Sequence, residues 1–315
     1  MSETLAGKDA PVTDRRPAIV EVAPRDGLQS IRDPLPTDTK IALIRDLVAA
    51  GCRRVEIGSF VSPRAVPQMH DMAEIAAAVL DLPARLMALV PNVRGAERAA
   101  GAGIREIGYV FSVSESHNRS NVRQSVADSL DGLGAVAAAL PENTRLRVNV
   151  ATAFDCPFEG TVPLDAVLAA TRRAAAIAPE AEIALCDTTG RANPFAVAER
   201  FRAAMALPET ARSTWAFHGH DTFGQGVANA LAAWHAGVPA FDAAAAGLGG
   251  CPFAPGATGN TATEDLVFAF NEGGLDTGID LGKLLDVADR VAALPGGVTG
   301  SHLRHVPRER AARAA

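Results

Sequence analysis

Short runs of β-branched and apolar residues recur along the chain. Each is followed by a longer stretch in which apolar positions return every three or four residues. The runs predict eight strands, over Ala18–Val22, Arg54–Ile57, Leu86–Val90, Glu106–Phe111, Leu146–Ala151, Glu182–Cys186, Thr214–Phe217 and Phe241–Ala246. The stretches between them predict helices over Asp38–Ala50, Met69–Leu80, Arg94–Ala102, Asn121–Ala139, Pro163–Ile177, Pro194–Met205 and Gly224–His235, and Ile279–Ala293 reads as one more. Apolar strands alternating with amphipathic helices are the mark of a parallel sheet with helical crossovers. Eight such units between Ala18 and about Phe270 fit a closed (β/α)8 TIM barrel of the α/β class with a short C-terminal helical appendage. An open doubly wound sheet uses the same alternation and is the competing expectation. Residues 1–17 read as a disordered lead-in, 18–295 as a single barrel domain, and the basic segment 296–315, which lacks apolar periodicity, as a mobile tail.

Composition narrows the function classes. The 315 residues are 48% hydrophobic and 21% charged, the balance of a chain that buries a sizeable core. With 30 basic and 36 acidic residues the net charge is −6, and no dense Lys/Arg run offers a nucleic-acid or anionic-membrane footprint. A phosphate-bearing ligand therefore needs a local basic patch. Cys52, Cys156, Cys186 and Cys251 show no Cys-x-x-Cys spacing, which argues against a zinc knot or a disulfide framework and for a reducing cytoplasm. The first residues carry Glu3, Asp9 and Asp14 and no apolar stretch, unlike a signal or transit peptide, and no apolar run reaches the roughly 18 residues of a membrane helix.

Unusual polar residues gather at the ends of the predicted strands. Arg25 and Asp26 follow the first, Glu56 ends the second, Asn92 follows the third, and Asp187 closes the sixth. His218 and His220 end the seventh, and Cys251 and Asn260 follow the eighth. Sites in a TIM barrel sit at the C-terminal ends of the strands, where such residues converge. Singly, each has a plainer explanation: Asp26 makes a turn before Gly27, Asp187 caps a helix, and Cys251 is a small apolar filler. His218-Gly219-His220 is more specific, because residues two apart on a strand share a face and put two imidazoles side by side. The alternative for the pair is hydrogen bonding to backbone carbonyls. Asp26 and Asn260 add oxygen ligands from the neighbouring first and eighth strand ends, and two nitrogens with two oxygens and open positions suit Mg2+ or Mn2+ better than structural zinc. The Gly-rich segment around Cys251 matches neither a dinucleotide fingerprint nor a Walker loop and reads as a lid over that metal.

From about Ile19 to Phe270 the chain resembles the hydroxymethylglutaryl-CoA lyase family. The likeness rests on VEVAPRDGLQ (Val20–Gln29), SFVSPRAVPQM (Ser59–Met69), VPN (Val90–Asn92), SES (Ser114–Ser116), CPFEG (Cys156–Gly160), FHGHDTFGQGVAN (Phe217–Asn229) and GLGGCPFAPGATGNTATEDLV (Gly247–Val267). The Arg-Asp-Gly and His-x-His elements occur across a wider superfamily of pyruvate-carboxyltransferase-like barrels, whereas GLGGCP points to the lyases. The resemblance implies that Asp26, His218, His220 and Asn260 bind Mg2+ or Mn2+, that Arg25 contacts the reacting carbonyl, and that Cys251 lies on the active-site loop. It also marks Glu56, Asp187 and Glu264 as site positions. Three departures remove hydroxyls from the pocket: Ala184 for a serine, Ile57-Gly58 for a pair carrying threonine, and DAAAAG for a more hydroxylated strand eight. They leave the metal chemistry alone and bear on the acyl group.

The expected reaction is retro-Claisen cleavage of 3-hydroxy-3-methylglutaryl-CoA to acetyl-CoA and acetoacetate. In that reading Arg25 stabilises the enolate oxygen, His218 or Asp187 takes the hydroxyl proton, and Cys251 returns a proton to the enolate carbon. Arg32 and Arg119, with Arg64 and Arg123, are candidates for the CoA phosphates. Rival expectations are a lyase for another 3-hydroxyacyl-CoA, an enzyme condensing acetyl-CoA with a 2-oxo acid, and a catalytically silent acyl-CoA-binding barrel. Barrels of this kind often pair through outer helices, so a homodimer is expected.

Overall fold

The computed structural model describes residues 16–250 and 259–311. Eight parallel strands close into a barrel: β1 Ala18–Glu21, β2 Arg54–Ser59, β3 Arg85–Val90, β4 Glu106–Ser112, β5 Arg145–Ala151, β6 Glu182–Asp187, β7 Thr214–Gly219 and β8 Ala240–Ala243. Each strand pairs with its neighbours in sequence, and closure comes from β1 on β8, with Ala18 opposite Ala240 and Glu21 opposite Ala243. A closed parallel barrel leaves no open edge, which rules out the doubly wound sheet.

The crossovers are α1 Thr37–Ala49, α2 Met72–Val79, α3 Val93–Gly101, α4 Glu115–Val122, α5 Val126–Ala139, α6 Leu164–Ile177, α7 Pro194–Met205 and α8 Gly226–Ala236. Then follow α9 Thr263–Glu272, α10 Leu281–Ala292 and the short α11 Arg308–Ala311. Their apolar stripes bury against the outside of the sheet: Ile44 and Leu47 of α1, Ile75 and Val79 of α2, and Phe201 of α7 are almost fully covered. Phe241 of β8 meets Phe270 of α9 at 5.1 Å between ring centroids, and Trp234 of α8 meets the same ring at 5.8 Å.

The structure departs from the sequence reading at five places. The single helix expected over Asn121–Ala139 is two, because Arg123 turns left-handed and Ser125 opens α5 with a capping box to Asp128. Helix α9 was not expected, and it starts at Thr263 behind an N-cap, Ala262, that has no capping side chain to announce it. The loop after β5 carries a small hairpin, Asp155–Cys156 against Gly160–Thr161, too short to leave a periodicity. Strand β8 ends at Ala243 rather than Ala246, since Ala245–Gly247 form a tight turn in which Ala246 is left-handed at φ 61°. Finally, residues 301–311 of the expected tail are docked. Asp265 accepts from the Leu303 and His302 backbone N–H groups at 2.7 and 2.8 Å, and Leu303 buries beside Leu285 and Ala311. No helix of the described residues is long and apolar enough to cross a membrane.

Candidate metal centre and active site

The C-terminal ends of the strands carry the site. After β1 the chain makes a wide turn over Ala23–Gly27 in which the Asp26 and Gly27 N–H groups both reach back to the Val22 carbonyl, at 2.8 and 3.2 Å. A one-residue expansion of this sort re-aims side chains, and here it directs both Arg25 and Asp26 inward. Arg25 Nε donates to Glu56 Oε2 at 2.5 Å, and its Nη1 donates to Asp26. Burial disfavours ionised Asp26, but Arg25 beside it outweighs this and holds the carboxyl well below the usual range. Asp26 is therefore a carboxylate at any physiological pH.

On β7 the backbone alternation turns His218 and His220 to the same side, as the two-residue spacing requires. The two Nε2 atoms lie 3.3 Å apart. His218 Nδ1 is 3.0 Å from Asp242 Oδ2 and His220 Nδ1 is 2.9 Å from the Thr188 carbonyl oxygen, and both partners only accept. In the neutral rings the proton therefore belongs on Nδ1, which turns the two Nε2 lone pairs toward one another, with Asp26 Oδ2 3.8 Å from His220 Nε2. Asp26, His218 and His220 bring one ligand atom each to within 4.8 Å of one another. Asn260 joins them: its Nδ2 donates to Asp26 Oδ2 at 2.9 Å and to the Leu248 carbonyl at 3.0 Å. Its Oδ1 is buried with no hydrogen-bond partner among the described residues. Two opposed lone pairs, a carboxylate and an unused amide oxygen together suit a divalent cation.

Asn260 reaches this place because the chain at the base of the Gly-rich segment is very tight. Gly249 has φ 134°, and a Cβ there would stand 2.6 Å from Asn260 Nδ2. The left-handed Ala246 is held by Glu264, whose two carboxyl oxygens both lie 3.1 Å from the Ala246 N–H. Glu21 does the same work one turn away: Oε1 accepts from Ala23 N at 2.8 Å and Ala245 N at 3.0 Å, and Oε2 accepts from Thr263 Oγ1 at 2.7 Å. Burial raises both acids to about 7.

Asp187, at the end of β6, is fully buried. Its Oδ2 accepts from the Ala192 N–H at 3.1 Å, while Oδ1 has no partner among the described residues. Burial pushes it up to about 6, against the pull of His220 and the Ala192 amide. A carboxyl poised near neutrality beside a cation site, with one oxygen unused, is equipped to accept a proton.

This constellation on a closed parallel barrel is matched by relatives. The HMGL-like family profile covers residues 16–291. The chain belongs to the HMGL-like family. It is 44% identical to the (R)-citramalyl-CoA lyase of Chloroflexus aurantiacus over 88% of this chain and 90% of that protein. It is 38% identical to the 3-hydroxy-3-isohexenylglutaryl-CoA/hydroxy-methylglutaryl-CoA lyase of Pseudomonas aeruginosa over 90% of this chain and 94% of that one. An HMG-CoA lyase from Acinetobacter baumannii, solved with coenzyme A and 3-methylmalate, superposes with a TM-score of 0.87 at 39% identity, covering 95% of this chain and 97% of that one. This HMGL-like chain is thus a carbon–carbon lyase of the CoA-lyase kind, and among its described residues Asp26, His218 and His220 form a cluster that could hold a metal ion.

Within that frame the structure brings together Arg25, Asp26, Glu56, His218, His220 and Asn260, with Asp187 packed behind His220. Glu264 is placed differently: it grips the backbone below the Gly-rich segment rather than facing the ligand cluster. Cys251 lies outside the described residues. Asn92 caps α3 by accepting from the Gly95 N–H at 3.0 Å. Arg32 is exposed on the loop after β1, which Gln68 braces by accepting from Leu35 N at 2.8 Å and donating to the Asp33 carbonyl at 3.2 Å. Arg119 sits on α4, three strands further round, and pairs with Glu115 at 2.6 Å. The two therefore do not form one basic patch by proximity. The sequence reading passed over Glu21, Arg147 and Asp242. Their signal was present, since each is a charged residue inside a run expected to be buried on both faces, where an unpaired charge is not tolerated.

Proposed function

We propose that the protein cleaves 3-hydroxy-3-methylglutaryl-CoA to acetyl-CoA and acetoacetate. The observation that carries this reading is the pair of bare His Nε2 atoms set with Asp26 and Asn260 beside a buried Arg25. Asp26, His218, His220 and Asn260 would hold the metal, which when bound supplies Lewis-acid polarisation of the substrate hydroxyl and lowers its pKa.

The chain's own residues divide the remaining work. The C3 hydroxyl gives up its proton, the C2–C3 bond breaks, C3 becomes the ketone of acetoacetate, and the electron pair passes to C2 as the acetyl-CoA enolate, which then takes a proton. Arg25, kept charged by Glu56 and Asp26 despite its burial, stabilises the enolate oxygen. Of the two candidate bases Asp187 fits better. His218 has Nδ1 engaged by Asp242 and Nε2 turned to the metal position, so no nitrogen is left over, whereas Asp187 Oδ1 is unused. Cys251 is the proposed donor to the enolate carbon. Arg32 is the better placed of the two proposed phosphate contacts, because Arg119 is already paired with Glu115.

A second substrate is favoured by the 44% identity to an (R)-citramalyl-CoA lyase. Asn149 and Ala184 are register partners on β5 and β6, and Ala184 offers no hydroxyl to an acyl group. A citramalyl-type acyl group, one methylene shorter between carbinol carbon and carboxylate, undergoes the same bond cleavage to acetyl-CoA and pyruvate. Comparing kcat/KM on 3-hydroxy-3-methylglutaryl-CoA and on both citramalyl-CoA enantiomers separates the readings. Preference for the first substrate supports the main proposal, a tenfold preference for a citramalyl-CoA replaces it with the second, and cleavage of neither refutes both.

A further inference from the structure

A row of buried charges runs from the metal cluster down the barrel axis. Asp242 of β8 stands in register with His218 of β7, and its side chain is almost completely covered. Its Oδ2 lies 3.0 Å from His218 Nδ1 and accepts from Arg147 Nη2 at 2.7 Å. Arg147, on β5, is itself fully buried, and its Nε is 3.6 Å from Glu182 Oε2. Glu182 in turn pairs with Arg54 at 2.5 Å, and Arg54 also donates to Glu106. Arg54, Glu106 and Glu182 line a cavity of about 690 Å³ that opens at the N-terminal end of the barrel, far from the strand ends that carry the site. Taking these groups out of water is expensive, and a packed apolar interior of the same volume is often as stable. The row therefore calls for a use other than stability.

We propose that Asp242, backed by Arg147, is the positioning residue that keeps His218 available as a metal ligand. The decisive distance is the 3.3 Å between the two Nε2 atoms. That separation is within hydrogen-bonding reach, so a ring carrying its proton on Nε2 would turn it toward the other and close the ligand position from within. For His220 this is opposed by the Thr188 carbonyl, which claims an Nδ1 proton at 2.9 Å. For His218 it is opposed by Asp242, an acceptor that Arg147 neutralises and holds in place. A carboxylate behind a ligating imidazole also fixes the ring's plane. Asp242 does not touch the substrate or the metal; it acts through His218.

The assignment rests on the metal reading above and is independent of which acyl group is cleaved. Its test is the affinity for Mn2+ alone, measured by titration calorimetry and by the electron paramagnetic resonance signal of free Mn2+, on the intact protein and on Asp242→Asn. Asparagine keeps the shape but offers an amide donor to Nδ1, so it permits the wrong tautomer. Mn2+ affinity should fall about 10- to 100-fold, measured at a temperature at which circular dichroism shows the metal-free variant folded. An affinity within threefold of the parent overturns the assignment. Because replacing a member of a buried charge row can impair folding, 15N NMR of the imidazoles of the unaltered, metal-free protein provides a second measurement, with His218 assigned by its loss in His218→Gln. A proton on His218 Nδ1 upholds the assignment and a proton on Nε2 overturns it. Failure of the unaltered protein to bind Mn2+ removes the metal centre itself, and this assignment with it.

Discussion

Replacing Asp187 by asparagine removes the proposed base while keeping its shape. The introduced amide oxygen still accepts from the Ala192 N–H, a bond now made by Asp187 Oδ2 at 3.1 Å, and the NH2 takes the position of the unpartnered Oδ1. The fold should tolerate the change. What is lost is proton acceptance, a contribution of about 10²- to 10⁴-fold in rate, or about 3–5 kcal/mol of barrier. Burial raises Asp187 to about 6, so the ionised, working form is lost as pH falls through that value, and kcat/KM should rise from acid pH to a plateau near neutrality. A bound cation lowers the acid's pKa, so in the loaded enzyme the limb lies at or below pH 6. The assay is acetyl-CoA formation from 3-hydroxy-3-methylglutaryl-CoA at saturating Mn2+ between pH 5 and 9, with Mn2+ affinity measured alongside. Asp187→Asn should lose the acid limb and at least 99% of kcat and bind Mn2+ within a few-fold of the parent. A variant that keeps a tenth of kcat, or keeps the limb, refutes the assignment.

Glu21 should make the metal-free protein lose stability as pH rises. Its folded pKa of about 7 exceeds the unfolded 4.5, so its contribution is fully present below 4.5 and gone above 7, a change on the order of 3 kcal/mol. Urea unfolding at pH 5 and pH 8 should show that change shrinking in Glu21→Gln, and an unaltered difference would show that Glu21 does not carry it. Glu56→Ala strips Arg25 of the partner at 2.5 Å and leaves a buried guanidinium with Asp26 alone, so chemical denaturation should report a loss of about 3–5 kcal/mol. A loss below 1 kcal/mol would mean that water or a shift of Asp26 replaces Glu56.

Most of the barrel was legible because its strands are buried on both faces and its helices are amphipathic, so the period of the apolar pattern changes at each boundary. The elements that escaped have no such signal. Helix α9 begins at Thr263 behind an N-cap, Ala262, that has no capping side chain, and the break at Arg123 depends on a left-handed residue that is not glycine. The polar cluster at the strand ends was legible through His-x-His and the residues that follow the first and eighth strands, since closing the barrel makes those strands neighbours. The supporting charges were not. Arg147 and Asp242 come from strands 95 positions apart in sequence, and only the closed barrel shows that one neutralises the other. Glu264 shows the reverse case: its motif pointed to the reaction, while its carboxylate is spent on the Ala246 N–H in a strained turn.

The most direct test of the account is acetyl-CoA release from 3-hydroxy-3-methylglutaryl-CoA by protein stripped with EDTA and verified as metal-free, before and after Mn2+ is restored, with Asp26→Ala in parallel. The geometry of Asp26, His218, His220 and Asn260 predicts negligible release from the stripped protein, recovery on adding Mn2+, and at least a hundredfold lower rate in the variant. Full release from the metal-free protein would contradict it.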